Sequence, residues 1–283
     1  MRASSRTSSP DARGTGIPGL LWIPAGIALA FLVLPLVALV VQVPWGQFGQ
    51  VVVSSGVGQA LALSLGAGAA ATGLSVVFGV PLAWVLARSV EWNRPVRRLL
   101  RAFVTVPLVL PPVVGGIALV LLLGRTGLIG TFLRAWFGIQ IPFTTPAVII
   151  SETFVAMPFL VLSVEGALRG ADRRLEDAAE TLGASRWMIF RRITLPLIAP
   201  GVAAGAVLSF ARALGEFGAT ITFVSNIPGE TRTLPLAIYG ATQVPSGDAE
   251  ALRLSIISVA ISLAALAASE WLVRRRKVEA ARA

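Results

Sequence analysis

The sequence predicts an all-α, polytopic membrane protein with six transmembrane helices and a short helical projection on its cytoplasmic side. Three observations lead there. Hydrophobic residues make up 55% of the 283 residues and charged ones only 13%, against about 25% charged in an ordinary soluble domain. The apolar residues gather in runs that are long enough, at roughly 20 residues per span, to cross a bilayer. The arginines sit between those runs, clustered in alternate loops, as the positive-inside asymmetry of a multi-span protein requires.

Taken in order, residues 1–19 are polar, rich in Ser, Gly and Arg and without periodicity, and read as a disordered tail. The apolar stretch from Leu20 to Val43 is too long for the core of a signal peptide and has no clear cleavage site, so it reads as a retained first span. Five more runs follow: Val57 to Ala87, Ala102 to Leu123, Ala147 to Leu168, Leu197 to Val224 and Leu254 to Val273. The second exceeds what a bilayer needs and should tilt or protrude. Gly127 to Phe143 is apolar but interrupted by Arg134, Gly138 and Pro142, which predicts a short helix on the outer surface. The body of the protein is thus residues 20–273, followed by a basic tail, 274–283.

Loop charge sets the orientation. The N-terminal tail carries Arg2, Arg6 and Arg13. The second loop carries Arg88, Arg94, Arg97, Arg98 and Arg101. The fourth carries Arg169, Arg173, Arg174, Arg186, Arg191 and Arg192, and the C-terminal tail Arg274, Arg275, Arg276, Lys277 and Arg282. The intervening loops are nearly free of basic residues. Both termini and loops two and four are therefore expected in the cytoplasm. The net charge of +10 belongs to these loops and does not call for nucleic acid.

Absences narrow the chemistry. The chain has no Cys and no His, which removes thiol nucleophiles, Ser-His catalysis and most zinc sites. All four aspartates, Asp11, Asp172, Asp177 and Asp248, fall outside the expected spans, so a paired-aspartate intramembrane protease has no site. Lys277 is the single lysine and no Gly-rich loop precedes it, so the chain has no phosphate-binding P-loop of its own. No metal or cofactor site is expected.

The fourth loop, about residues 169–196, carries the most information. Leu175 to Leu182 is a good helix former with Ala178 and Ala179 on a small face. Gly183 suits a left-handed turn ending that helix. A second helix is expected from Ser185 to Ile193, with Trp187, Phe190 and Ile193 on one side, and Pro196 suits the first turn of the next membrane helix. Such a helix–turn–helix either fits a groove on a soluble partner or lies as an amphipathic element on the lipid surface.

The spacing of Asp177-Ala178-Ala179, Gly183, Ile193, Leu195 and Pro196 resembles the cytoplasmic motif of ABC-importer permeases, E-A-A-x3-G-x9-I-x-L-P, with Asp in place of the leading Glu. The resemblance implies that these seven residues couple the chain to an ATP-binding cassette ATPase, which would bind the ATP and Mg. It also implies a second permease chain, most simply a copy of this one. Two other segments extend it. Pro107 to Gly116 reads PLVLPPVVGG, and Leu214 to Tyr239 contains LGEFGAT, NIPGET and TLPLAIY. From about Val57 to the last span the chain looks like the permease subunits of molybdate importers, and sulfate/thiosulfate permeases share much of the pattern. An external oxyanion-binding protein is then a further expected partner. A secondary transporter or a membrane scaffold would leave the cytoplasmic motif unexplained.

Candidate pathway residues come from the spans. Pro107, Pro111 and Pro112 remove amide donors, and a helix broken beside Gly115 and Gly116 forms either part of a gate or a packing kink. Arg212 and Glu216 stand one helical turn apart, as an internal ion pair or as an arginine presented to an anion with Glu216 tuning it. Glu152 and Glu165 are expected to reach the interfaces, Gly66, Gly68, Gly73 and Gly79 to allow close helix packing, and Thr231 and Thr233 to be available in the outer loop.

Overall fold

The computed structural model describes residues 21–48, 55–89 and 92–282, so the polar tail expected at 1–19 lies outside the described residues. The described residues are helical, without strands. The chain divides into two units, Met1–Val43 and Pro44–Ala283.

The first unit contains α1, Trp22–Gln42. This helix is apolar on every side and has no buried residue, as expected of a helix whose solvent is hydrocarbon.

In the second unit α2 (Ser55–Arg88) is followed by α3 (Arg94–Val109), α4 (Pro112–Leu123), α5 (Gly130–Phe137) and α6 (Thr145–Gly170). Then come α7 (Arg174–Thr181), α8 (Arg186–Ile189), a π-helical turn (Phe190–Thr194), α9 (Leu195–Leu214), α10 (Gly218–Phe223), α11 (Leu234–Thr242) and α12 (Asp248–Arg282). Helix α12 runs through the stretch that the sequence sets apart as a basic tail.

Among the described residues four helical stretches are long and apolar enough to cross a membrane: α1, α2, α6 and the stretch Arg186–Leu214 that ends in α9. A fifth is present if α3 and α4 are taken as one span. The expected third span is therefore not one straight helix. The chain bends by 116° between its two parts, because Leu110 and Pro111 are extended, as residues preceding proline are driven to be. The expected fifth span is also interrupted: α9 stops at Leu214 and α10 restarts at Gly218. The sixth expected run lies within α12. The surface helix expected between Gly127 and Phe143 is α5, which ends on Gly138 in the left-handed conformation.

Helix α6 is the centre of the packing, with α2 and α9 along it. One core joins Ala83, Leu86, Leu160, Val161, Val164 and Ile198. Close approach is built in by small residues. A Cβ at Gly79 would stand 2.8 Å from Leu160, and one at Gly205 would stand 3.2 Å from the Leu160 backbone. Gly68 likewise packs on Phe210. Gly66 and Gly73 face open space, so the packing role expected of the four glycines on α2 holds for two.

Candidate functional site

At the end of the bundle where α6 leads into α7, Asp177, Ala178 and Ala179 lie on α7. Asp177 and Ala178 are exposed and Ala179 half-buried. The turn after α7 is the one the sequence predicts. Gly183 has φ +81°, its N–H donates to Glu180 O at 2.9 Å, and the N–H of Ala184 donates to Ala179 O at 3.0 Å. This pair of bonds is a Schellman closure. Ser185 then accepts from the Met188 N–H and starts α8.

The expected second short helix does not stop at Ile193. The backbone passes from α8 through the π turn into α9 without a break, and the Leu195 N–H reaches back five residues to Phe190 O. Pro196 accounts for this: its ring crowds the carbonyl four residues earlier, at Arg192, and it has no N–H. A wider turn relieves that crowding. The projection nonetheless gathers the motif. Ile193 and Pro196 line one groove with Leu175 of α7. Leu182, 87% exposed, and Trp187, 69% exposed, stand out as apolar residues on its surface, available to a protein partner.

Sequence reasoning puts Asp177 at the acidic position, with Glu176 beside it and no separate role for Glu176. The structure divides the two. Glu176 turns inward, where its Oε1 accepts a 2.7 Å hydrogen bond from the buried hydroxyl of Thr194 and its Oε2 pairs with Arg88 at the end of α2. The Arg88 guanidinium lies 4.9 Å from the centre of the Trp84 ring. Trp84 meets Phe190 edge-on at 5.2 Å, and Phe190 stacks on Trp187 at 5.5 Å. Arg88, Glu176, Asp177, Arg186 and Trp187 border a groove of about 910 Å³. The available signal was the pair of adjacent acids: on a helix they point about 100° apart, so one can face in while the other faces out.

The candidate pathway residues also come together. Helix α10 packs on α4. A Cβ at Gly218 would lie 2.6 Å from Pro112 Cβ, and one at Gly116 would lie 2.8 Å from Ala219 O. Gly115 is buried against the Phe154 ring. Glu216, 1% exposed, caps α10 by accepting the Ala219 N–H on Oε1 at 2.7 Å. Its Oε2 stands 2.6 Å from Arg212 Nη2. That contact is a charge pair off the line of a hydrogen bond, since Oε2 has no aligned donor. Pro111 and Pro112 start α4 and Glu216 starts α10, so the two helix breaks abut.

Two sequence expectations are corrected here. Glu152 and Glu165, expected to reach the interfaces, are instead enclosed by protein, 1% and 2% exposed. Glu165 Oε1 is held by Arg169 at 2.7 Å and by Arg101 at 3.4 Å, which ties α3 to α6. Glu152 Oε2 is buried without a hydrogen-bond partner. Its neighbour in sequence, Ser151, has its hydroxyl 3.2 Å from that of Thr220 in α10. Thr231 and Thr233 are not open to the outside either, at 0% and 1% exposure. Thr231 accepts the Ile227 N–H at 2.9 Å and latches its own loop. Among the described residues no cluster of acidic side chains could hold a metal ion.

Comparison with known proteins shows the family and the fold. The family model described as binding-protein-dependent transport system inner membrane component matches residues 79–278. The chain is 48% identical over 246 residues to the molybdenum transport system permease protein ModB of Mycobacterium tuberculosis, covering 87% of this chain and 92% of that one. It is 48% identical to the Escherichia coli ModB, covering 79% and 96%. The sulfate transport system permease protein CysT of Escherichia coli is 36% identical, covering 79% and 81%. Among solved structures, a bacterial ABC transporter for the polysaccharide alginate shares the fold with a TM-score of 0.70 at 23% identity, over 90% of this chain and 94% of that one. The methionine transporter MetNI follows with a TM-score of 0.59 at 20% identity, over 78% and 94%. This chain belongs to the family of binding-protein-dependent transport system inner membrane components, the permease subunits of ABC importers.

Proposed function

We propose that the chain is the permease subunit of an ATP-driven importer that carries the tetrahedral oxyanion molybdate inward across the cytoplasmic membrane of a bacterium. The observation that carries this reading is the 48% identity to molybdenum permeases over 87% of the chain, against 36% to the sulfate permease. The chain forms a multi-span membrane body and supplies no ATPase chemistry. ATP and Mg are bound by separate ATP-binding cassette subunits, which dock on the exposed α7–α8 projection. Two ATPases act together around nucleotide, so two permease chains are needed, and a homodimer is the simplest assembly. An external oxyanion-binding protein delivers the substrate, and lipid covers the apolar outer faces.

In this reading six spans put both termini on one side of the membrane, and the arginine-rich loops assign that side, with the projection, to the cytoplasm. A single cysteine at Ser185 should then resist an impermeant thiol reagent applied to intact cells, while one at Ser246 reacts; external labelling at Ser185 would reverse the orientation. In the membrane, Arg212 lowers the electrostatic barrier for a dianion in a low-dielectric path, and Glu216, already paired with it, keeps that site from holding the anion too tightly.

The function is tested by uptake into proteoliposomes holding the permease, its ATPase and its binding protein, with molybdate, tungstate and sulfate in competition. Uptake of molybdate that excess sulfate does not suppress supports the assignment. Sulfate uptake that molybdate does not compete would move the chain to the sulfate/thiosulfate permeases, and preferential tungstate uptake would change the named oxyanion.

A further inference from the structure

Three helices meet at the base of the projection, and only two of the junctions are covalent. Helix α6 leads into α7 through Ala171–Arg173, and α8 continues into α9 through the π turn. Helix α2 is remote in sequence, yet it packs along both α6 and α9 in the core. Its tie to the projection is made by its last turn. There Arg88 pairs with Glu176, a carboxylate whose side chain is only 14% exposed, and Trp84 sets its ring against Phe190.

The two oxygens of Glu176 are divided between elements. Oε2 goes to Arg88 of α2, and Oε1 goes to the hydroxyl of Thr194, which is fully buried in the π turn. One carboxylate in the first turn of α7 therefore holds α2 and the root of α9 together. The Trp84 ring under the Arg88 guanidinium fixes the planar fork in the orientation that a carboxylate requires, which a lysine cannot reproduce. Asp177, the next residue, faces out and takes no part.

We propose that Arg88 is the positioning residue through which movement of the α7–α8 projection reaches the last turn of α2. A displacement of α7 driven by the docked ATPase acts on α6 and α9 through the chain itself. It reaches the last turn of α2 through the Arg88–Glu176 pair and the Trp84–Phe190 contact. Without Arg88, α6 and α9 still follow the ATPase and carry the packed core of α2 with them, but the last turn of α2 lags, so ATP is hydrolysed without a completed change of access. This inference rests on the importer reading above and adds to it the route by which the projection acts.

The test uses the full complex in proteoliposomes and reads two quantities at once: ATP hydrolysed, and oxyanion taken up by the same vesicles. Wild-type uptake of molybdate checks the functional reading separately. In Arg88→Ala we expect normal recovery of the ATPase with the permease, hydrolysis within about twofold of wild type, and uptake lower by tenfold or more, so the ATP used per ion rises. Arg88→Lys should fall between. Glu176→Gln, which keeps the shape of the side chain and the bond to Thr194, should repeat the Arg88→Ala result and decides the matter if Arg88→Ala does not assemble. A parallel fall of hydrolysis and uptake, with the ratio unchanged, would reduce Arg88 to a purely structural residue and overturn the proposal. So would normal uptake in Arg88→Ala and Glu176→Gln.

Discussion

Gly183→Val isolates a single physical term. At φ +81° the residue sits in the left-handed region, and a Cβ added there would meet nothing within 4 Å. No clash arises and no buried surface is lost. The cost is the backbone conformation alone: about 2 kcal/mol for a β-branched residue, at the top of the usual left-handed penalty. Since 1.4 kcal/mol is a tenfold change, that is roughly a 30-fold shift away from the native turn. The two bonds that close the turn, Gly183 N–H to Glu180 O and Ala184 N–H to Ala179 O, go with it, and α8 leaves the position fixed by α7. Asn visits the left-handed region at lower cost through local hydrogen bonding, so Gly183→Asn should keep most of the coupling, Gly183→Ala less, and Gly183→Val least. The measurements are recovery of the ATPase with the tagged permease and ATP-driven oxyanion uptake in proteoliposomes. The order Asn, Ala, Val should appear in both, with membrane insertion of the permease unchanged. Equal uptake by the Val and Asn variants would refute the reasoning, because neither side chain meets a neighbour at this open position and the cost of the left-handed φ is where they differ most.

Two other predictions concern the membrane interior. Arg212→Ala should lower the melting temperature of the detergent-solubilised permease by removing about 2 to 3 kcal/mol, less than for a fully buried pair because Arg212 is 26% exposed, and should reduce uptake more than Arg212→Lys. If the pair is only structural, Arg212→Ala combined with Glu216→Gln, which removes the unpaired charge and keeps an acceptor for the Ala219 N–H, restores transport fully; persistent loss in that double variant supports the anion path. Gly116→Ala should destabilise by about 1 to 3 kcal/mol, because its Cβ would lie 2.8 Å from Ala219 O and 3.0 Å from Ala219 Cα, whereas Gly73→Ala, facing open space, should be neutral or slightly stabilising; equal melting temperatures for the two would remove the case that α4 and α10 are held by close approach.

The sequence by itself determined the elements whose physics is local or set by the solvent. Apolar runs between arginine clusters mark membrane helices because hydrocarbon admits few charges. The left-handed turn at Gly183 was legible because one glycine stands between a helix-forming stretch and a serine cap. The break at Pro111-Pro112 followed from the missing N–H groups. The break at Gly215-Glu216-Phe217 left a fainter signal, two glycines flanking an acid three residues before the amide it caps, and was read as continuous helix because all around it is apolar. Tertiary structure alone decided what depends on partners distant in sequence. Glu176 faces Arg88 across 88 positions, so no local pattern separates its inward role from the outward one of Asp177. Glu165 is buried because Arg169 and Arg101 neutralise it there, and Thr231 is buried because its hydroxyl closes a loop. Periodicity states which way a side chain points; only the packing of α2, α6 and α9 against one another states what it meets.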